Sequence, residues 1–133
     1  YIVNPCYIRS INVKGNAILK IIDNSGMTGT SIHVHEKVII GDNVNIGAGT
    51  LIFDTNFHST DSIIRANRSI DLSNVVTAPI HIMNNVFIGA RSIICKGVII
   101  GENSIIGAGS VVIKDIPSNE IWGGNPATFI KKI

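Results

Sequence analysis

The sequence predicts an all-β fold, a single-stranded parallel β-helix with one long inserted loop and a short C-terminal helix. Three observations predict it. Aliphatic residues recur every six positions at Ile82, Ile88, Ile94, Ile100, Ile106 and Val112, and in the same register at Val34, Ile40, Ile46 and Ile52. The next residue is often glycine, as at Gly41, Gly47, Gly89, Gly101 and Gly107. The fourth residue on is small or β-branched: Val38, Val44, Thr50, Val86, Ser92, Val98, Ser104 and Ser110. Neither an α-helix nor a stack of hairpins repeats every six residues. A parallel β-helix does, because each flat side uses one short strand and one turn.

Composition fits a narrow coil. Hydrophobic residues make up 45% of the 133 residues but aromatic ones only 5%, which suits layers filled by Ile and Val with no room for rings. The length is that of one domain, residues 1–133, able to bury its own core. A net charge of +2 gives no broad attraction to nucleic acid or membrane surfaces. The apolar runs are too short to span a bilayer, and nothing resembles a signal peptide. Cys6 and Cys95 form no spacing pattern, which points to reduced thiols and a cytoplasmic location. Without a secretion signal, the sequon Asn67-Arg68-Ser69 reads as chance. The chain opens on Tyr1 rather than methionine, leaving room for residues before it.

The elements follow in order. Residues 1–21 carry apolar alternation in Ile8, Ile11, Val13, Ile18 and Ile21 without clean hexads, and read as strands that start the coil and cover its first edge. Residues 22–53 are hexads of middling quality. The interval 54–81 is polar, breaks the pattern and holds His58, Arg65, Arg68 and Asp71. A solenoid ejects such an insertion as a loop, often on its binding face. Ile52 to Ile82 is thirty residues, five whole periods, so the register survives the gap. Residues 82–116 are the cleanest hexads. The chain leaves the coil at Pro117, and Asn125-Pro126 reads as a helix start, with Asn as cap and Pro at the first helical position. A short helix over about 126–132 would then cover the far end. Within the coil, one position of every third hexad stacks into a ladder, each aliphatic contributing about 1.5–3 kcal/mol when buried.

These residues resemble the left-handed β-helix acyltransferases, the hexapeptide-repeat family, over roughly residues 22–133. The repeat carries part of the likeness. Asp54-Thr55-Asn56-Phe57-His58-Ser59 is similar to the stretch bearing the catalytic histidine in sugar O-acetyltransferases of the maltose, galactoside and polysaccharide-modifying type. Gly107 through Pro117, followed by Trp122-Gly123-Gly124-Asn125-Pro126-Ala127, resembles their acetyl-CoA-binding terminus. The resemblance implies a left-handed coil, although parallel β connections are generally right-handed. It also implies an acetyl-CoA donor, a homotrimer whose 54–81 loop completes a neighbour's pocket, direct transfer without an acyl-enzyme, and no metal.

In that reading His58 is the general base, since an alcohol is a poor nucleophile while protonated and an imidazole accepts a proton near neutrality. Asp54, Asp61 or a backbone carbonyl would orient the ring, and Asp54 would otherwise shape the turn leaving the coil. The backbone N–H of Ala90 matches the oxyanion donor. Phe87 stands where relatives often carry Trp, as an outward wall of the pocket. Ala108, Ile113 and Lys114 match positions lining the pantetheine arm. Lys131 matches a basic residue at the phosphate end, whereas Thr128 stands where relatives often place Arg, leaving Lys132 as a substitute. The galactoside and maltose enzymes orient their sugar with an Asn from an early coil. Ser25-Gly26-Met27-Thr28-Gly29-Thr30 has none, which favours a nucleotide- or lipid-linked polysaccharide precursor as acceptor. Serine or antibiotic acceptors, a scaffold without activity, and a zinc lyase built from His33, His35, His58 and His81 are the alternatives. Two histidines two apart share one strand face, a poor start for converging zinc ligands.

Overall fold

The computed structural model describes residues 2–3, 5–10 and 15–133. The strands are β1 (Ile2–Val3), β2 (Tyr7–Ser10), β3 (Ile18–Ile21), β4 (Gly26–Thr28), β5 (Ser31–Val34), β6 (Lys37–Ile40), β7 (Asn45–Ile46) and β8 (Leu51–Phe53), then β9 (Ile80–Ile82), β10 (Phe87–Ile88), β11 (Ile93–Ile94), β12 (Ile99–Ile100), β13 (Ile105–Ile106), β14 (Val111–Val112), β15 (Glu120–Gly123) and β16 (Thr128–Lys132). They form three sheets. The first runs β1-β4-β7-β10-β13-β15-β16, the second β14-β11-β8-β5-β2, and the third β12-β9-β6-β3. From β1 to β14 successive strands therefore visit the three sheets in rotation, and neighbours among these strands are parallel.

The register accounts for the six-residue period. Ile46 pairs with Ile88 and Ile88 with Ile106; Ile52 pairs with Ile94 and Ile94 with Val112; Ile40 pairs with Ile82 and Ile82 with Ile100. One coil is eighteen residues, three hexads. All the repeating aliphatics are buried, as are the small residues four positions on. Those polar at the second position donate to main-chain carbonyls, Ser104 to that of Pro117 and the others locally. The Thr50, Ser92 and Ser110 hydroxyls donate to the carbonyls of Gly47, Gly89 and Gly107 at 2.8, 2.8 and 2.5 Å. At the corner between the third and first sheets, Asn43, Asn85, Asn103 and Asn119 all adopt positive φ and link side chain to side chain in a ladder. Asparagine tolerates that conformation better than most residues. Glycine at Gly47 has a different cause: a Cβ there would stand 2.5 Å from the Ala90 amide nitrogen of the next coil. Close approach, not φ, fixes that glycine.

The segment between β8 and β9 is the ejected loop, which starts at Asp54 and ends at Pro79, two residues short of 81, because Ile80 and His81 already belong to β9. It contains α1 (Ser62–Ala66), α2 (Arg68–Asp71) and a 3₁₀ turn at Leu72–Asn74. Strands β1, β2 and β3 open the coil against β4, β5 and β6; Ile11, Val13 and Tyr1 lie outside the described residues.

The expected C-terminal helix is absent. Residues 128–132 are strand β16, antiparallel to β15, and Asn125-Pro126, joined by a cis peptide, lies in the turn between them. The physical reason is the open edge of the first sheet. β15 pairs in parallel with β13 and would otherwise expose its unpaired amides and carbonyls to water and to foreign strands. Folding the tail back as a strand closes that edge, which a helix would not do. Trp122 and Ala127 cover the last layer of the core.

Candidate active site

The loop leaves the coil through a stapled neck. Thr55 bridges Thr77, Asn56 N–H donates to Val76 O at 3.0 Å, and Ala78 N–H to Asp54 O at 2.9 Å. The Asp54 carboxylate is buried and accepts the backbone N–H groups of His35, Glu36 and Lys37, each at 2.7 Å. It is therefore a cap for the corner beneath the loop and does not orient His58. Asp61 is also committed, as N-cap of α1, accepting from Ile63 and Ile64 N–H.

The partner of His58 is Asp71. Its Oδ2 lies 2.6 Å from His58 Nδ1, while its Oδ1 accepts the Ser59 N–H at 2.7 Å. The carboxyl sits on the last residue of α2, where Asn67 caps the helix start through Ser69 N–H. The His58 hydrogen bond, reinforced by the one from Ser59 N–H, holds the buried Asp71 carboxyl below the usual carboxylate range. An ionised carboxylate only accepts, so Nδ1 carries a proton, and in the neutral imidazole the lone pair is then on Nε2. The imidazole is otherwise open, with 64% of the side chain exposed. Arg65 closes the loop by donating to Ser59 O and Thr60 O at 2.9 and 3.2 Å.

Phe57, the residue before His58, has φ of 62°, a left-handed conformation costing an L-residue about 1–2 kcal/mol. Its ring packs on His33, His35 and Phe53 at centroid distances of 5.4, 5.9 and 5.3 Å. His35 is buried, and neither of its ring nitrogens has a hydrogen-bond partner. Burial pushes its imidazole below the ordinary value, with Asp54 opposing and His33 and Arg9 adding to the shift. The folded chain thus resists a proton that the unfolded chain binds below pH 6.5. Stability is full above that pH and falls as pH drops through 6.5 toward the lowered folded value. We expect the midpoint of thermal unfolding to decline between about pH 7 and pH 5, and His35→Leu to flatten that slope; parallel slopes would contradict it.

The second part of the site is the corner between the first and second sheets. There Gly89 N–H binds Ile106 O at 2.7 Å and Arg91 N–H binds Ala48 O at 2.8 Å. Between them the Ala90 N–H meets no acceptor among the described residues. Ala108 occupies the equivalent point one coil on and is exposed. Ile113 and Lys114 follow β14 on the exterior, Ile113 at 58% exposure. Lys114 Nζ lies 5.0 Å from the centre of the Trp122 ring, and that ring stands edge-on to Phe129. Lys131, Lys132 and Thr128 are exposed on β16, so the basic pair sits on a strand and not on a helix.

Phe87 does point outward, half exposed, and walls a groove of about 210 Å³ on the first sheet together with Met27, Thr28, Asn45 and Gly47. Asn45 was not singled out in the sequence, which concentrated on 25–30; it lies one coil later, directly beside Phe87 in the register. His81 lines a separate hollow with Lys37, Pro79 and Ile99. Among the described residues no three His, Cys, Asp or Glu side chains converge as a metal set, and no helix is long and apolar enough to cross a membrane.

His58 and Ala90 stem from different corners of the coil. The loop occupies the corner between the second and third sheets, while Ala90 and Ala108 turn between the first and second.

Comparison with known proteins agrees with this architecture. Residues 79–114 match the family model described as bacterial transferase hexapeptide (six repeats), and residues 37–52 that of the hexapeptide repeat of succinyl-transferase. The galactoside O-acetyltransferase of Escherichia coli K12 is 43% identical over 96 residues, 72% of this chain and 44% of that protein. The chain thus spans just under half the length of the curated relatives it matches first. A hexapeptide-repeat-containing acetyltransferase from Vibrio cholerae, solved with acetyl coenzyme A, superposes with a TM-score of 0.79 at 26% identity, covering 97% of this chain and 70% of its own. The structure of a maltose O-acetyltransferase from Clostridium difficile is 30% identical with a TM-score of 0.64, covering 99% and 70%.

Proposed function

Because the chain belongs to the hexapeptide-repeat acetyltransferase family, whose coil is the left-handed β-helix, we propose that it transfers the acetyl group of acetyl-CoA to a hydroxyl of a sugar or polysaccharide precursor, with His58 as general base. The observation that carries this reading is the His58–Asp71 pair at 2.6 Å, which leaves Nε2 free to take a proton. The acceptor O–H gives its proton to Nε2 as its oxygen attacks the thioester carbonyl. The resulting oxyanion is steadied by the Ala90 N–H, a donor worth about 2.7–4 kcal/mol in such sites. Collapse expels the coenzyme A thiolate, which recovers the proton from the imidazolium, and no acyl-enzyme forms.

The thioester arm would run past Ala90, Ala108, Ile113 and Lys114 toward Lys131 and Lys132 at the phosphate end. The acceptor would lie in the groove of Phe87, where an aromatic face suits the C–H side of a sugar ring and the Asn45 amide and Thr28 hydroxyl suit its hydroxyls. One chain carries the base and the oxyanion donor at different corners. A homotrimer of single-domain chains, in which each loop reaches the corner of the next, supplies the missing half. An acetyl-CoA donor puts the reaction in the cytoplasm.

Thiol release from acetyl-CoA against a panel of free, nucleotide-linked and lipid-linked sugars tests the reading. Turnover with at least one sugar, and none with serine or chloramphenicol, is the expected result. Turnover confined to amino-acid or antibiotic acceptors would overturn the sugar acceptor.

A further inference from the structure

We propose that Phe57 is a positioning residue for the base: its ring, wedged against His33, His35 and Phe53, turns the main chain so that His58 leaves the loop neck toward the reacting hydroxyl. The proposal rests on the reading of His58 as the base. Among the described residues, the other non-glycine residues at positive φ are Asn24, Asn43, Asn85, Asn103, Asn119 and Arg91. Asparagine visits that region readily, whereas a bulky aromatic side chain does so only when its surroundings dictate it. Here they do. The Phe57 N–H donates to Thr55 Oγ1 at 3.0 Å, the ring has three aromatic neighbours, and the neck on its N-terminal side is tied at Asn56 to Val76.

On the other side of His58, the Ser59 N–H is held by the same Asp71 carboxylate that holds the imidazole. The base is thus gripped at three points: the residue before it by the ring wedge, the residue after it by Asp71, and its own Nδ1 by Asp71. The first rests on the ring contacts and the Phe57 N–H bond to Thr55 Oγ1, the other two on the Asp71 carboxylate. A phenylalanine serving as filler could pack from an ordinary extended backbone. At φ of 62° the ring turns inward while the next side chain turns outward, into solvent. His35 provides the floor of the wedge: its buried ring makes no hydrogen bond of its own and meets Phe57 edge-on at 82°.

The experiment compares Phe57→Gly, Phe57→Asn and Phe57→Tyr, each with His58 intact and with His58→Ala. Thiol release from acetyl-CoA is followed with p-nitrophenyl β-galactoside as acceptor, and with water as acceptor. Glycine and asparagine both accept the left-handed backbone, so either reports on the lost ring if the other folds poorly. With His58 present, both are expected to lower kcat about tenfold or more at an unchanged KM for acetyl-CoA, and tyrosine to stay within about threefold of the parent. In the His58→Ala background the same changes are expected to cost nothing further, which a merely structural role would not produce. The proposal is overturned if kcat of the glycine and asparagine variants stays within about twofold of the parent, or if they lose the same factor without His58. A His58→Ala enzyme as fast as the parent would bring down the base assignment and this proposal together. A slow His58→Ala beside a fast Phe57→Gly would remove only the wedge.

Discussion

Replacing His58 with alanine is expected to lower kcat by about 10² or more while leaving the affinity for acetyl-CoA unchanged. The side chain is exposed in the single chain, and its one side-chain hydrogen bond among the described residues is to Asp71, so its removal opens no core cavity and leaves the coil intact. Of the positions proposed for the pantetheine arm, Ala108 stands across the second sheet from the loop's corner, whereas Ile113 and Lys114 follow β14 at that same corner, two coils on from the loop neck. The role proposed for His58 is proton removal and not donor binding, so the loss should fall on kcat alone. Stopped-time thiol release gives kcat; acetyl-CoA-dependent thermal stabilisation gives the affinity, since ligand at 100 times its Kd adds about 2.7 kcal/mol. An unchanged rate would clear His58 of the role.

Asp71→Asn is expected to lower kcat by about 10²-fold through the tautomer of His58. The carboxylate accepts from two donors at once, Ser59 N–H and His58 Nδ1–H. An amide of the same shape can keep the Ser59 bond through its oxygen. Its NH₂ then faces Nδ1 and donates to it, which moves the imidazole proton to Nε2. That nitrogen can no longer accept from an alcohol. Stability at neutral pH should change less than activity. The depressed Asp71 ionisation stabilises the folded loop above the unfolded carboxylate value of 3.8 and is lost only as pH falls through the still lower folded value. Full activity in the asparagine variant would mean that the ring is oriented by something else.

The coil was legible because its determinants are periodic. Each hexad aliphatic at Ile82, Ile88, Ile94, Ile100, Ile106 and Val112 is a core residue for the same reason, so one pattern fixes six positions. The tail was not. Phe129, Ile130 and Ile133 suit a helix face as well as a strand, and what decides between them is the open edge of β15, a tertiary fact with no local mark. His58 stood out through the residues around it, but its partner, left open among Asp54, Asp61 and a backbone carbonyl, is Asp71. The interval 54–81 holds Asp54, Asp61 and Asp71, and two of them have local duties: Asp61 precedes the Ser62-Ile63-Ile64-Arg65 turn as a cap, and Asp54 stands at the edge of the coil over the 35–37 corner. Elimination would have left Asp71. Proximity in sequence pointed the other way because a folded loop brings residues thirteen apart into contact. Asn45 escaped notice for a related reason, since one face of a coil is assembled from residues about eighteen apart.

The central claim, that the loop of one chain and the corner of its neighbour form each acetyl-transfer site, is tested most directly by mixing two inactive proteins. His58→Ala removes the base; Ala108→Trp fills the exposed corner along which the donor would lie. Co-assembled in equal amounts, the two chains should form sites with an intact loop from one and an intact corner from the other at about a quarter of the interfaces of a cyclic oligomer. The account predicts recovery of about a quarter of the parent's thiol-release rate. Mixed oligomers, verified as such by mass, that are no more active than the two variants assayed apart would contradict it.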